Sequence, residues 1–145
     1  MTKMKDCIFC RIVGGSASAS VVYSDKEVMA IMDIKPVNLG HILVIPKAHA
    51  ARLSALNEGI GGHMFRLAMR IVDALKNSSV KCEGANLCLS DGEVAGQEVS
   101  HVHLHVIPRY RGDGLKMSAV SRPGQEPKRE ILEETAEDIR RWLRN

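Results

Sequence analysis

The sequence predicts an α+β fold: a single domain on an antiparallel sheet of about five strands, with a main amphipathic helix and a C-terminal helix packed on it. Three observations predict this. Short β-prone runs are bounded by turn residues, two longer segments carry apolar residues at helical spacing, and the helical segments follow hairpins instead of alternating with single strands.

Residues 20–24 and 27–33 are β-prone runs separated by Asp25-Lys26, which reads as a hairpin. A third run, 40–45, has an apolar middle and stops at Pro46, as a central strand would. Strand candidates at 85–90 and 100–107 flank a Gly-containing loop, Asp91-Gly-Glu-Val-Ala-Gly-Gln-Glu-Val99. Between the third and fourth runs, Ile60, Met64, Leu67, Ala68, Ile71, Val72 and Leu75 form one face of a helix, with Arg66, Arg70, Asp73 and Lys76 on the other. Leu132, Ala136, Ile139 and Leu143 repeat the pattern over 130–143, where acidic residues crowd the start and arginines the end, complementing a helix dipole. Residues 111–126 show no periodicity and read as a loop.

Composition narrows the function classes. At 145 residues, 45% hydrophobic and 26% charged, the chain has the profile of a soluble domain, and no apolar run approaches the roughly 18 residues that cross a bilayer. No apolar segment follows the basic residues of Met1-Thr-Lys-Met-Lys-Asp-Cys7, so cytoplasmic residence is the expectation. A net charge of +3 without a basic block, and only 3% aromatic residues, count against extended nucleic-acid binding and leave a small anionic ligand in view. In a reducing compartment the four cysteines, at 7, 10, 82 and 88, are better read as metal ligands or buried small hydrophobes than as disulfides.

His101-Val-His-Leu-His-Val-Ile-Pro108 carries the chemistry. In a strand, His101, His103 and His105 share one face while Val102, Leu104 and Val106 share the core face. Successive histidines then stand about 6.5 Å apart and the outer two about 13 Å apart, so one metal ion cannot easily collect all three. Neutral imidazole meets no charge repulsion from phosphate oxygens; it can attack phosphorus to form a P–N bond that water later breaks, while a second imidazole serves the leaving group. Cys7-x-x-Cys10 offers two thiolates at a spacing suited to tetrahedral zinc, with His49, His101, Cys82 and Cys88 as candidates for the remaining ligands.

The run His101-Val-His-Leu-His-Val-Ile107 resembles the His-φ-His-φ-His-φ-φ signature, with φ hydrophobic, of the histidine triad family of nucleotide hydrolases and transferases. The likeness extends in order through Cys7-Ile-Phe-Cys-Arg-Ile12, Asp33-Ile-Lys-Pro-Val37, Gly40-His-Ile-Leu-Val-Ile-Pro-Lys-Ala-His49 and Asp91-Gly-Glu-Val-Ala-Gly-Gln97. It places a HIT domain over 7–110, with a loop and helix over 111–145 packed on the same domain. The resemblance implies that His103 attacks the α-phosphorus of an AMP-like substrate and that His105 contacts the phosphate and assists the leaving group, with His101 in support. Gln97 and the amides of residues 96–99, Val99 included, would surround the phosphate; Asp33 would bind the ribose hydroxyls; Ile8, Phe9, Ile12 and Ile31 would form the base slot. Similarity to the bacterial-type, zinc-containing, Hint-like branch implies a structural zinc at Cys7, Cys10, His49 and His101, and a homodimer.

Two residues depart from the pattern. Ser90 stands where relatives commonly carry Asn or Gln, and its shorter side chain leaves the contact on the phosphate or leaving-group side either lost or water-mediated. Glu98 replaces Ser or Thr, so its backbone amide is the credible phosphate contact. Two other readings compete with the covalent one: a zinc-dependent hydrolase using the triad as metal ligands, and a noncatalytic nucleotide-binding module stabilised by zinc.

Overall fold

A computed structural model describes residues 6–115 and 126–143. Most of the loop expected over 111–126 therefore lies outside the described residues. In chain order the elements are helix α1 (Ile8–Val13), strands β1 (Val21–Ser24), β2 (Val28–Met32) and β3 (Ile42–Pro46), helix α2 (Glu58–Asn77), strands β4 (Gly84–Cys88) and β5 (Leu104–Arg109), and helix α3 (Arg129–Trp142). The five strands form one sheet in the order β1-β2-β3-β5-β4, antiparallel at every step. This is the expected α+β class. Helix α1 is the element the sequence did not announce, because six residues are too few to show a helical period.

Every residue of β2 and β3 is buried, because both faces of the central sheet are covered. Val28, Ala30, Met32, Ile42 and Val44 belong to the larger core beneath α2 and α3. Their alternates Met29, Ile31, Leu43 and Ile45 pack on the other face with Cys7 and Phe9. On β5, Leu104 and Val106 enter the larger core, so His105, registered against Leu43, faces the α1 side. Sheet parity thus carries the histidines onto the α1 face.

Helix α2 begins at Asn57, whose side chain accepts the Ile60 N–H at 3.1 Å. It buries Met64, Leu67, Ala68, Ile71, Ala74 and Leu75. Helix α3 buries Leu132, Ala136 and Ile139, and the Arg140 guanidinium donates to the Val21 carbonyl, fastening this helix to the β1 edge.

Strand β5 begins at Leu104 instead of at Ser100, as the alternation suggested. The physical reason lies on β3. Pro46 has no N–H to extend the ladder, its carbonyl accepts from the His101 ring at 2.8 Å, and the Val102 N–H turns to Ala50 at 2.8 Å.

Gly40 admits the chain to β3 at φ +102°. A Cβ there would stand 2.7 Å from Val80 Cγ1 and 3.3 Å from Pro108 Cγ. Gly40→Ala is expected to lower unfolding stability by about 2 kcal/mol or more, since backbone strain and overpacking act together. Urea unfolding of the two proteins checks this; a loss below about 0.5 kcal/mol would show that the site relaxes freely.

Candidate functional site

A cavity of about 310 Å³ opens on the α1 face of the sheet. Ile8, Phe9 and Ile12 from α1, Ile31 from β2, Asp33, Ser90, Val99, His103 and His105 all line it. Among the residues singled out from the sequence as substrate contacts, Gln97 is placed differently. Its Nε2 donates to the carbonyls of Ala51 (2.8 Å) and Val99 (2.9 Å), and its Oε1 accepts the Gly92 N–H at 2.7 Å. The side chain thus braces the loop from inside, while Gly96, Glu98 and Val99 form the wall. Gly96, with φ +96°, makes the left-handed turn that aims this segment.

Hydrogen bonds fix which ring nitrogen of each histidine carries a proton. His103 Nδ1 lies 2.8 Å from the His101 carbonyl, an acceptor only, so Nδ1–H donates and the neutral ring carries its lone pair on Nε2. The Val37 N–H donates to His41 Nδ1 at 3.0 Å, which puts the His41 proton on Nε2. From there it is donated to His105 Nδ1 at 2.9 Å, leaving His105 with Nε2–H. The neighbouring rings, with centroids 5.1 Å apart, therefore offer opposite groups: a lone pair on His103 and an N–H on His105. Phe9 packs its ring edge-on against His103, with centroids 5.2 Å apart.

His41 is the site residue that the sequence reading missed. It is fully buried, and burial pushes its imidazole down to about 4, with Asp33 pulling partly the other way. Burial, followed by the charges of His41 and His103, pushes His105 down to about 3. Both rings are neutral near pH 7. The signal was present: in a strand over 40–45, His41 shares a face with Leu43 and Ile45, and a lone polar group there needs a partner.

Asp33 is both a turn residue and part of the cavity wall. Its Oδ1 accepts the Lys35 N–H at 2.8 Å, a local turn that holds the carboxylate in the cavity wall, and Oδ2 lies 3.5 Å from His41 Nε2.

Cys7, Cys10, His49 and His101 converge, although the chain separates them by up to 94 positions. His101 Nδ1 is 3.4 Å from Cys7 Sγ and 3.6 Å from Cys10 Sγ; His49 Nδ1 is 3.2 Å from both Cys10 Sγ and His101 Nδ1. Tetrahedral zinc with ordinary Zn–S and Zn–N bonds has ligand–ligand edges of roughly 3.3–3.8 Å, so the donors fit that ion. The outer contact fits too. His101 Nε2–H donates to the Pro46 carbonyl, which leaves Nδ1 as the ligand nitrogen. Burial and the neighbouring Cys7 push the Cys10 thiol up to about 11 in the bare protein, so a cation is needed to hold two thiolates here. With its ring in this cluster, His101 does not reach the cavity; of the triad, only His103 and His105 line it. A second set, Asp33, His41 and His105, also lies close together, but both His41 nitrogens are already used by Val37 and His105.

The HIT domain profile matches residues 15–112. An uncharacterized HIT-like protein of Methanocaldococcus jannaschii is 44% identical over 108 residues, covering 74% of this chain and 82% of its own length. A Zn-bound histidine triad family protein from Mycobacterium smegmatis superposes with a TM-score of 0.83 at 35% identity, covering 97% of this chain and 95% of that one. A protein of Arabidopsis thaliana named an adenylylsulfatase is 34% identical over 117 residues, 79% of this chain and 57% of the longer relative.

The depressed His41 imidazole has a consequence for stability. The unfolded chain takes up this proton below its ordinary value of 6.5, whereas the folded chain resists it down to about 4. The contribution is therefore complete above pH 6.5 and is lost as pH falls toward 4. Between pH 7 and 4.5 the parent protein is expected to lose roughly 2 kcal/mol more than His41→Gln, whose amide can still donate to His105. Urea unfolding at the two pH values checks this; metal loss on acidification is common to both proteins and cancels. Equal losses would rule out a buried neutral His41.

Proposed function

The chain belongs to the HIT domain family, and on that footing we propose that it is a nucleotide hydrolase or nucleotidyl transferase. It acts on AMP-like substrates, nucleoside phosphoramidates or dinucleoside polyphosphates, through a covalent nucleotidyl-histidine. The observation that carries this reading is the pair of opposed ring nitrogens in one cavity: the lone pair of His103 beside the N–H of His105.

His103 Nε2 attacks the α-phosphorus, forming a P–N bond as the bond to the leaving group breaks; that group departs with the electron pair, a phosphoramidate nitrogen taking a proton from solvent and a phosphate leaving as the anion. The nucleotidylated ring is cationic, and its Nδ1–H already donates to the His101 carbonyl, which stabilises the charge. His105 stays neutral, so its Nε2–H works as a fixed hydrogen-bond donor to the phosphate or the departing atom rather than as a strong acid. Water then attacks phosphorus, the electron pair of the P–N bond returns to Nε2, and the water proton leaves with solvent. Backbone groups of Gly96, Glu98 and Val99 flank the phosphate, the Ser90 hydroxyl serves its leaving-group side, and Asp33 Oδ2 accepts from the ribose. Ile8, Phe9, Ile12 and Ile31 clasp the base. The adenylylsulfatase name of the Arabidopsis relative supports attack at an adenylyl phosphorus.

Zinc at Cys7, Cys10, His49 and His101 is structural in this reading: four protein donors close the tetrahedron and leave no position for water. Residues 7–110 are the working HIT unit, completed by 111–145. Edge strand β4 with half-exposed Leu87, together with exposed Phe65 and Met69 on α2, supports a homodimer. No helix among the described residues is long and apolar enough to cross a membrane, which accords with work in the cytoplasm.

Incubation with adenosine phosphoramidate should give an adenylyl adduct by intact mass on His105→Ala, a slowed variant, and none on His103→Ala. Loss of His103 should lower kcat by about 10⁴-fold or more, and loss of His105 by about 10²- to 10⁴-fold. Substantial turnover by His103→Ala would sink the covalent mechanism, and tight AMP binding with no turnover by the parent protein would favour the noncatalytic module. Metal analysis should find one zinc per chain. Its removal should lower the melting temperature and, by loosening Ile8 and Phe9, weaken nucleotide binding; metal-free protein with unchanged melting and kinetics would exclude the structural role.

A further inference from the structure

The end of the cavity away from the histidines carries a cation that the reading above does not use. Arg129, the first residue of α3, lines the cavity there beside Ser18 and Ala19. Its Nη1 donates at 3.1 Å to Ser20 Oγ, and Ser20 is fully buried, which pins one corner of the guanidinium and leaves four N–H donors. Arginine in the first turn of a helix opposes the macrodipole, and the preceding Lys128 supplies no side-chain cap. The placement is poor for α3, and a local conflict of this kind is where a functional demand is expected.

Sheet order fixes what Arg129 can reach. The Ser20 carbonyl accepts the Met32 N–H at 2.9 Å, so Arg129 sits beside the residue that precedes Asp33, on the β1 side. His105 is on β5, three strands away, or roughly 14 Å at ordinary strand spacing. A nucleotide with phosphorus at the histidines and ribose at Asp33 therefore lays the outer edge of its base toward Arg129.

We propose that Arg129 reads the base and selects 6-oxopurines such as guanine over adenine. A guanidinium only donates, and its planar fork requires two adjacent acceptors. Guanine presents O6 and N7; adenine presents N7 beside an N6 donor, which would be set against another donor. The proposal rests on the nucleotide-binding reading of the cavity and revises its substrate from AMP-like to GMP-like nucleotides.

Binding of GMP and AMP to the full chain, followed by calorimetry, tests this without requiring turnover. GMP is expected to bind roughly ten- to hundredfold more tightly than AMP, the discrimination that one bidentate base contact supplies. Arg129→Met should bring the two affinities within about threefold. Arg129→Lys, which keeps the charge but not the fork, should also lose most of the preference. With guanosine and adenosine phosphoramidates the preference should reside in KM rather than kcat. Equal affinities in the parent protein, or a GMP preference that survives Arg129→Met, overturns the proposal. If His103 forms no adduct while an Arg129-dependent GMP preference persists, the catalytic reading fails and this one stands; if neither nucleotide binds, both fail.

Discussion

The His101 residue makes three attachments at once, and the rest of the site depends on them. Its Nδ1 meets the two cysteine sulfurs, its Nε2–H is held by the Pro46 carbonyl, and its own carbonyl accepts the hydrogen bond from His103 Nδ1–H. One residue thereby links α1, the end of β3 and the approach to β5. The attachment also fixes the tautomer, because a neutral His103 ring with its proton on Nδ1 carries its lone pair on Nε2. Movement of the cysteine cluster would therefore reach the His103 ring through one residue.

Burial explains why the second ring is so firmly defined. His41 lies between Val37 and His105 in a part of the sheet covered on both faces, where an unpaired N–H or nitrogen would cost about 1–3 kcal/mol. Its hydrogen bonds admit one tautomer. The same desolvation keeps His41 and His105 neutral, so a fixed dipole instead of a mobile charge faces the cavity. Gly40, immediately before His41, is the backbone condition for this arrangement, since no side chain fits between Val80 and Pro108.

The cavity has two ends of different character. The β5 end presents ring nitrogens and loop backbone, while the β1 end presents a guanidinium anchored on a buried serine. Both are carried on strands and helices whose interiors are packed, and the loop at the β5 end is braced from within by Gln97. A cleft held in this way gives its ligand little freedom to choose a register.

Much of this was legible in the chain. Alternation at 101–106 placed three imidazoles opposite Val102, Leu104 and Val106, the period of α2 named its buried face, and Cys7-x-x-Cys10 marked half of a metal cluster, because these are local patterns with a fixed geometric period. Other features required partners distant in sequence. Helix α1 is too short to show a period, the inward turn of Gln97 depends on Ala51, His41 gains its role only when β3 lies beside β5, and Arg129 reaches the cavity only because α3 returns to the β1 edge. Sequence by itself determined which residue types share a face, since side-chain direction follows the backbone repeat. Tertiary structure alone decided which nitrogen of each ring holds its proton, because that is set by the acceptor the fold brings within 3 Å.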